Sequence, residues 1–363
     1  MNTGSRDPRG ERRRRATLKE RGRGFRASRF FPASVVVAII AVAAGLFAGS
    51  YTYSMANPTP RDVPVALVNP DIHATLAGAF IKGMDQALDS SLRPRIFRSY
   101  GAARDSVEQQ KSFAIISPLA GNRVLLDTSS ASGASVAEVL ETAAPRVGAQ
   151  LGAEVTVRDL KPLGRGDPRG LAIFYISLAA VVLGFVGATQ LGVHASDLRP
   201  PERIVVTAVL ALLGGFAIQA VVGWWLRAAR LPFPQSWAIL ALTMFASGLV
   251  YTMFKTLFGS RWAMIPTWGL MIILGNPSSG GAVSWPLLPQ PLGAIGRWLP
   301  PGASVNAQHN AVYFSGHQMV MPYLVLSGWA VVSGAVFWIY RDRYEGTPSR
   351  STSGRRSGTQ AGP

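Results

Sequence analysis

Apolar residues fall in blocks along this chain. One block occupies residues 34–54, a polar-to-mixed stretch runs from 57 to 167, and five further blocks follow at 170–191, 204–226, 236–254, 262–274 and 321–340. The block at 170–191 contains no charged residue. A helix of that length, rising about 1.5 Å per residue, crosses a hydrocarbon core roughly 30 Å thick. The 262–274 block is shorter and holds Pro266. The pattern predicts a polytopic α-helical membrane protein with six transmembrane helices and a small extracytoplasmic α/β domain between helices 1 and 2.

Between 57 and 167 the periodicity changes. Strands are expected at 63–69 (VPVALVN), 95–99, 113–117 (FAIIS), 124–128 (VLLDT) and 154–160, with helices at 72–88, 102–110 and 136–151. Ala120, Gly121 and Asn122 mark a turn between two of the strands. Such alternation implies a layered α/β fold.

Charge then fixes an orientation. The net charge is +17, and its placement counts for more than its size. Arg6, Arg9, Arg12 to Arg15, Lys19, Arg21, Arg23, Arg26 and Arg29 precede the first block, and Arg341, Arg343, Arg350, Arg355 and Arg356 follow the last. Both tails, 1–33 and 341–363, therefore read as disordered and cytoplasmic, with 57–167 outside. Loops 192–203 (Arg199, Arg203) and 253–261 (Lys255, Arg261) agree, whereas Arg227 and Arg230 run against the bias. The same charge on a soluble chain would point to nucleic acid; beside apolar blocks it orients the protein and attracts anionic lipid. A cleaved signal ending near Ser54-Met55-Ala56 is the other reading of the first block, but the apolar stretch is long for one.

Catalytic chemistry is hard to find. There is no cysteine, and His73, His194, His309 and His317 lie on separate segments without metal-ligand spacing. Asp71, Asp105 and Asp127 sit at expected element ends, where capping accounts for them. No phosphate loop, dinucleotide loop or nucleophile elbow occurs in the sequence, so no cofactor is expected and any ATP hydrolysis must come from another subunit. No Asp, Glu, Lys or Arg stands in the middle of a predicted span, which disfavours an ion-coupled carrier. Gln190, Gln219, Thr243, Ser247 and Thr267 read as helix-packing groups, alongside Gly184, Gly187, Gly214, Gly215, Gly223, Gly248, Gly328 and Gly334.

Residues 276–320 are too broken by Pro and Gly for a plain span and too apolar for a plain loop. The stretch 285–299 carries Trp285 and Trp298 and looks suited to an interfacial or re-entrant element. Its residues Asn276, Pro277, Ser278, Ser279, Gly280 and Gly281 are followed by Pro286-Leu287-Leu288-Pro289, by Trp298-Leu299-Pro300-Pro301, and by Asn306 and Asn310. This order resembles the permeases of type-2 ABC transporters, in particular their phage-infection-protein-like branch, as does VPVALVN after the first span. The resemblance covers most of residues 34–340. It implies an exporter permease that moves a hydrophobic or amphipathic substrate outward, working as a homodimer or heterodimer with a separate ATP-binding subunit. It also implies that 276–301 is re-entrant and that the inside loop bearing Asp197, Arg199 and Arg203 meets the ATPase. The competing expectation is a non-transporting membrane protein whose outer domain binds a cell-envelope, phage or secretion partner.

Overall fold

The computed structural model describes residues 31–55, 60–70, 74–89, 91–317 and 319–341. The expectations for most of the basic tails, His73, Asp71 and the Ala56 cleavage position lie outside the described residues. The chain divides into two compact units, 1–52 and 53–363. Helix α1 (Phe31–Met55) supplies the described residues of the first unit, its last turn running into the second. It is apolar and long enough to cross a membrane over Ser34–Met55.

The second unit opens with an α/β module. Its elements are β1 (Val63–Val68), α2 (Ala74–Ala87), β2 (Leu92–Phe97), α3 (Tyr100–Glu108), β3 (Ala114–Leu119), β4 (Arg123–Thr128), α4 (Ala134–Gln150) and β5 (Glu154–Asp159). The sheet order is β2-β1-β3-β4-β5, parallel except for the β3–β4 pair. β1 reads as one apolar run because it is central and covered on both faces. Val63, Val65 and Leu67 meet Phe80 and Met84 of α2 together with Leu140 and Val147 of α4, while Ala66 and Val68 meet Ala103 and Val107 of α3. Pro64 is tolerated because pairing with β3 begins only at Val65, opposite Ala114. The β3–β4 turn places Gly121 (φ 75°) and Asn122 (φ 55°) in the left-handed region, which Gly and Asn adopt at low cost.

Asp127 is not a cap. Its side chain is buried on β4 and accepts from Arg158 Nε of β5 at 2.7 Å and from the Tyr100 hydroxyl of α3 at 2.6 Å. Arg158 Nη2 also donates to the Tyr100 oxygen at 2.8 Å. Burial first, and then the Asp127 carboxylate, raises the Tyr100 pKa above its ordinary value. Arg158→Ala strands a buried carboxylate on one donor and is expected to cost about 1–2 kcal/mol, the low side for a charged hydrogen bond because the guanidinium is half exposed. Thermal unfolding of the full chain in detergent checks this, with Lys111→Ala on the exposed surface as a neutral reference.

Four more helices are long and apolar enough to cross a membrane. They are α5 (Ala172–His194), α6 (Pro200–Ile218, continued as a π-helix Gln219–Trp225), α7 (Gln235–Phe258) and α11 (Met321–Ile339). With α1 the long spans number five among the described residues. The 262–274 block differs from expectation: α8 (Met264–Trp268) and its π-helical extension Gly269–Gly275 form one short helix, about 18 Å at 1.5 Å per residue, which does not span a core of roughly 30 Å. α7 is buried along most of its length and is flanked by α5, α6 and α11. Small residues set this spacing. A Cβ on Gly184 of α5 would run into the Met244 carbonyl of α7, and one on Gly215 of α6 would lie 2.8 Å from the Ala241 nitrogen. Close backbone approach of this kind is how helices associate where lipid supplies no hydrophobic drive.

The stretch 285–299 is not one amphipathic helix. Pro286, Pro289 and Pro291 break it into a 3-10 turn Trp285–Leu287, a single turn α9 (Leu292–Ile295) and a second 3-10 turn Gly296–Trp298. Helix α10 (Pro300–Tyr313) follows, entered through two prolines and buried on nearly every face.

Candidate functional site

The segment between α8 and α10 is held from two sides. At its start Ser278 Oγ donates to the Leu274 carbonyl at 2.6 Å, and the Ser278 carbonyl abuts Gly296 where the chain returns. At its far end Val283, Leu287 and Leu288 enter the core formed by β1, α2 and α4. The Arg61 amide donates to the Pro286 carbonyl at 2.9 Å, the Ser284 amide to Ser135 Oγ at 2.9 Å, and the Phe113 and Trp285 rings stand 5.8 Å apart. The broken segment thus extends the core of the α/β module.

α10 is bound to the same module and to α7. Gln110 Nε2 donates to Asn310 Oδ1 at 2.6 Å, and Lys161 Nζ donates to the Tyr313 carbonyl at 2.9 Å while pairing with Glu108 at 2.7 Å. The Lys161 ammonium also lies 4.6 Å from the Phe314 ring centroid. Along α7, Ser236 Oγ donates to Gln308 Oε1 at 2.8 Å, Gln308 Nε2 donates to the Ser236 carbonyl at 3.0 Å, and the Thr243 and Ser304 hydroxyls meet at 2.9 Å.

Where the module, the broken segment and α10 meet, they enclose a cavity of about 400 Å³. Its walls come from Gln110, Ser112 and Phe113, from Ser130 and Ser132 to Ser135 at the start of α4, and from Arg169, residues 278–282, Ser284, Trp285, Arg297, Trp298, Asn306, His309 and Met321. Arg169 and Arg297 are exposed and Ser278 and Ser279 are buried. The sequence-predicted Ser278, Ser279, Gly280 and Gly281 therefore line one site. Asn276 and Pro277 are buried just before it, Trp298 stands in its wall with 49% exposure, and Pro300 starts α10. Sequence reading missed Gln110, Arg169, Ser130, Ser132 and His309 as partners. Only the paired Pro300-Pro301 hinted at the helix that carries His309.

The loop expected to meet an ATPase is split by the structure. Asp197 and Arg199 are exposed, and Glu202 Oε2 accepts from the Arg199 amide at 2.9 Å to start α6. Arg203 is 1% exposed, with Nη2 directed at the Ala188 carbonyl of α5 at 3.4 Å. A methyl group on Gly192 would lie 2.9 Å from Arg203 Nη2 and 2.8 Å from Lys255 Nζ, which places both cations beside α5. Arg203 is thus removed from the exposed part of the loop by its place one turn inside α6.

Among the described residues no group of three His, Asp or Glu side chains comes together to hold a metal ion. The fold defines an α-helical chain with five membrane-length helices, a five-stranded α/β module and a proline-broken segment anchored in it. No family model, no curated protein and no solved structure matches this chain.

Proposed function

We propose that the chain is the permease subunit of an ABC-type exporter, working as a dimer with a separate ATP-hydrolysing subunit and moving a hydrophobic or amphipathic substrate outward. The observation that carries the reading is the broken segment 276–299, inserted between two short helices and anchored in the α/β module. A Cβ on Gly275 would lie 2.9 Å from Pro301 Cγ, so the end of the α8 extension and the start of α10 are neighbours. Taken in line, the 12 residues of Met264–Gly275 and the 14 of Pro300–Tyr313 span about 39 Å at 1.5 Å per residue. They serve as a composite sixth crossing, with residues 276–299 as its re-entrant excursion. Non-helical backbone at membrane depth persists when buried in protein, and Asn276, Ser278 and Ser279 are each no more than 3% exposed.

Six crossings put both tails on the cytoplasmic face and the α/β module outside, in line with the basic tails. Reporter fusions at Gly121 and after Tyr344 are expected to report outside and inside respectively. An intracellular signal from Gly121 would remove the topology on which the permease reading stands.

The second reading, a membrane protein whose outer module binds an envelope partner, is favoured by one feature. Edge strand β2 exposes Arg93, Arg95 and Ile96, the last at 68%, beside unpaired backbone. Pro94 in the same strand blunts that edge, so transport is the stronger reading.

A further inference from the structure

The cavity is lined by two arginines and by no carboxylate. Arg158 is paired with Asp127 and Lys161 with Glu108, whereas Arg169 and Arg297 have neither a hydrogen-bonding nor an ionic partner among the described residues. Both arginines are exposed residues of the cavity wall, which includes no Asp or Glu. Hydroxyls of Ser130, Ser132 and Ser279 and the amides of Gln110 and Asn306 add neutral hydrogen-bonding groups. The 17-residue helix α4 also starts here with no side-chain cap, so its positive end adds to the field of the two arginines. An anion is the complement of such a lining.

The lining also includes exposed apolar side chains. Trp285, Trp298, Met319 and Met321 are 38–49% exposed at the rim, next to Ile295 and Val320, which are also exposed. A free inorganic ion has no use for that rim. A volume of about 400 Å³ lies within the range of small-molecule sites, roughly 300–1,000 Å³, and takes a headgroup with the first carbons of a chain.

We propose that this cavity binds the phosphate headgroup of an anionic amphiphile, with Arg169 and Arg297 contacting the phosphate and Trp285, Trp298 and Met321 holding the start of the apolar chain. Phosphate suits two separate guanidiniums because its several acceptor oxygens engage both at once. The site is independent of ATP hydrolysis, so its binding is measured on the full chain alone and its failure would leave the permease reading standing.

The experiment compares three probes on the full chain purified in neutral detergent, read by native mass spectrometry and by thermal shift. They are dioctanoyl phosphatidic acid, dioctanoyl phosphatidylcholine and inorganic phosphate. Saturable binding of phosphatidic acid at least tenfold tighter than either other probe is expected. Arg169→Gln and Arg297→Gln should each weaken it several-fold, and the double variant at least tenfold, while Trp298→Ala weakens phosphatidic acid and leaves phosphate unchanged. The basic tails are identical in all variants, so only the component lost with Arg169 and Arg297 reports the cavity. Phosphate binding as tightly as phosphatidic acid would make this a free-ion site and overturn the proposal. Unchanged phosphatidic acid binding in a double variant that melts like the parent would overturn it equally.

Discussion

Gly296→Leu is expected to abolish the native packing of the broken segment and to lower the melting temperature of the detergent-solubilised chain more than any other substitution considered for this molecule. Even the first carbon of a side chain at 296 would overlap the Ser278 carbonyl, which is backbone and has no rotamer by which to withdraw. Gly302 repeats the constraint one step on, since its Cβ would run into the Gly296 carbonyl. Ordinary overpacking of a core costs about 1–3 kcal/mol, and a backbone obstacle puts these positions at or above the top of that range. Gly328→Ala, in α11 with no atom within 4 Å of the added carbon, is the matched control and should be neutral or slightly stabilising. A Gly296→Leu variant that melts with the parent would mean that segment 276–299 does not fold back on itself.

Single cysteines placed in segment 276–299 test its depth only where protein does not bury them. Ser278 and Ser279 are buried in protein, so slow labelling at those positions follows from protein packing and says nothing about lipid. Arg297 and Trp298, at the exposed rim, are the informative positions.

Much of the fold was legible because local periodicity and tertiary environment agree. The eight elements of the α/β module lie where alternating and helical patterns placed them, the largest offset being β2, which starts at Leu92 instead of 95. β2 is an edge strand with Arg93 and Arg95 exposed, so it lacks the apolar alternation that marks an inner strand. Helix α10 was hidden for a related reason. Its buried Ser304, Gln308 and Asn310 are polar because they bond α7 and Gln110, and polar residues inside a bundle erase the apolar stripe used to recognise a helix. The re-entrant expectation rested on Pro and Gly between apolar residues; Gly281 meets the Phe174 and Val305 side chains, and the close backbone approaches fall instead at Gly293, Gly296 and Gly302. The cavity was illegible altogether. Gln110, Ser132, Arg169, Arg297 and His309 are far apart in sequence, and only the docking of the module on the broken segment brings them together. Asp127 was misread as a cap because its partner Arg158 is 31 residues away on the next strand.

The second large effect concerns the loop between α5 and α6. Asp197 and Arg199 are exposed on the short connection between α5 and α6, and Arg203 is turned inward, so any contact with an ATP-hydrolysing subunit made through this loop uses the first two residues. Asp197→Ala with Arg199→Ala should leave insertion and melting unchanged, because neither side chain packs in the bundle, yet reduce recovery of the partner at least tenfold. The most direct measurement for the permease account is therefore purification of the full chain from its native membranes in mild detergent, followed by assay of ATP hydrolysis by the complex and by the double variant. The account predicts a phosphate-loop ATPase in fixed ratio with the chain, active in the parent preparation and missing from the variant. A well-folded chain recovered without any ATP-hydrolysing subunit would contradict it.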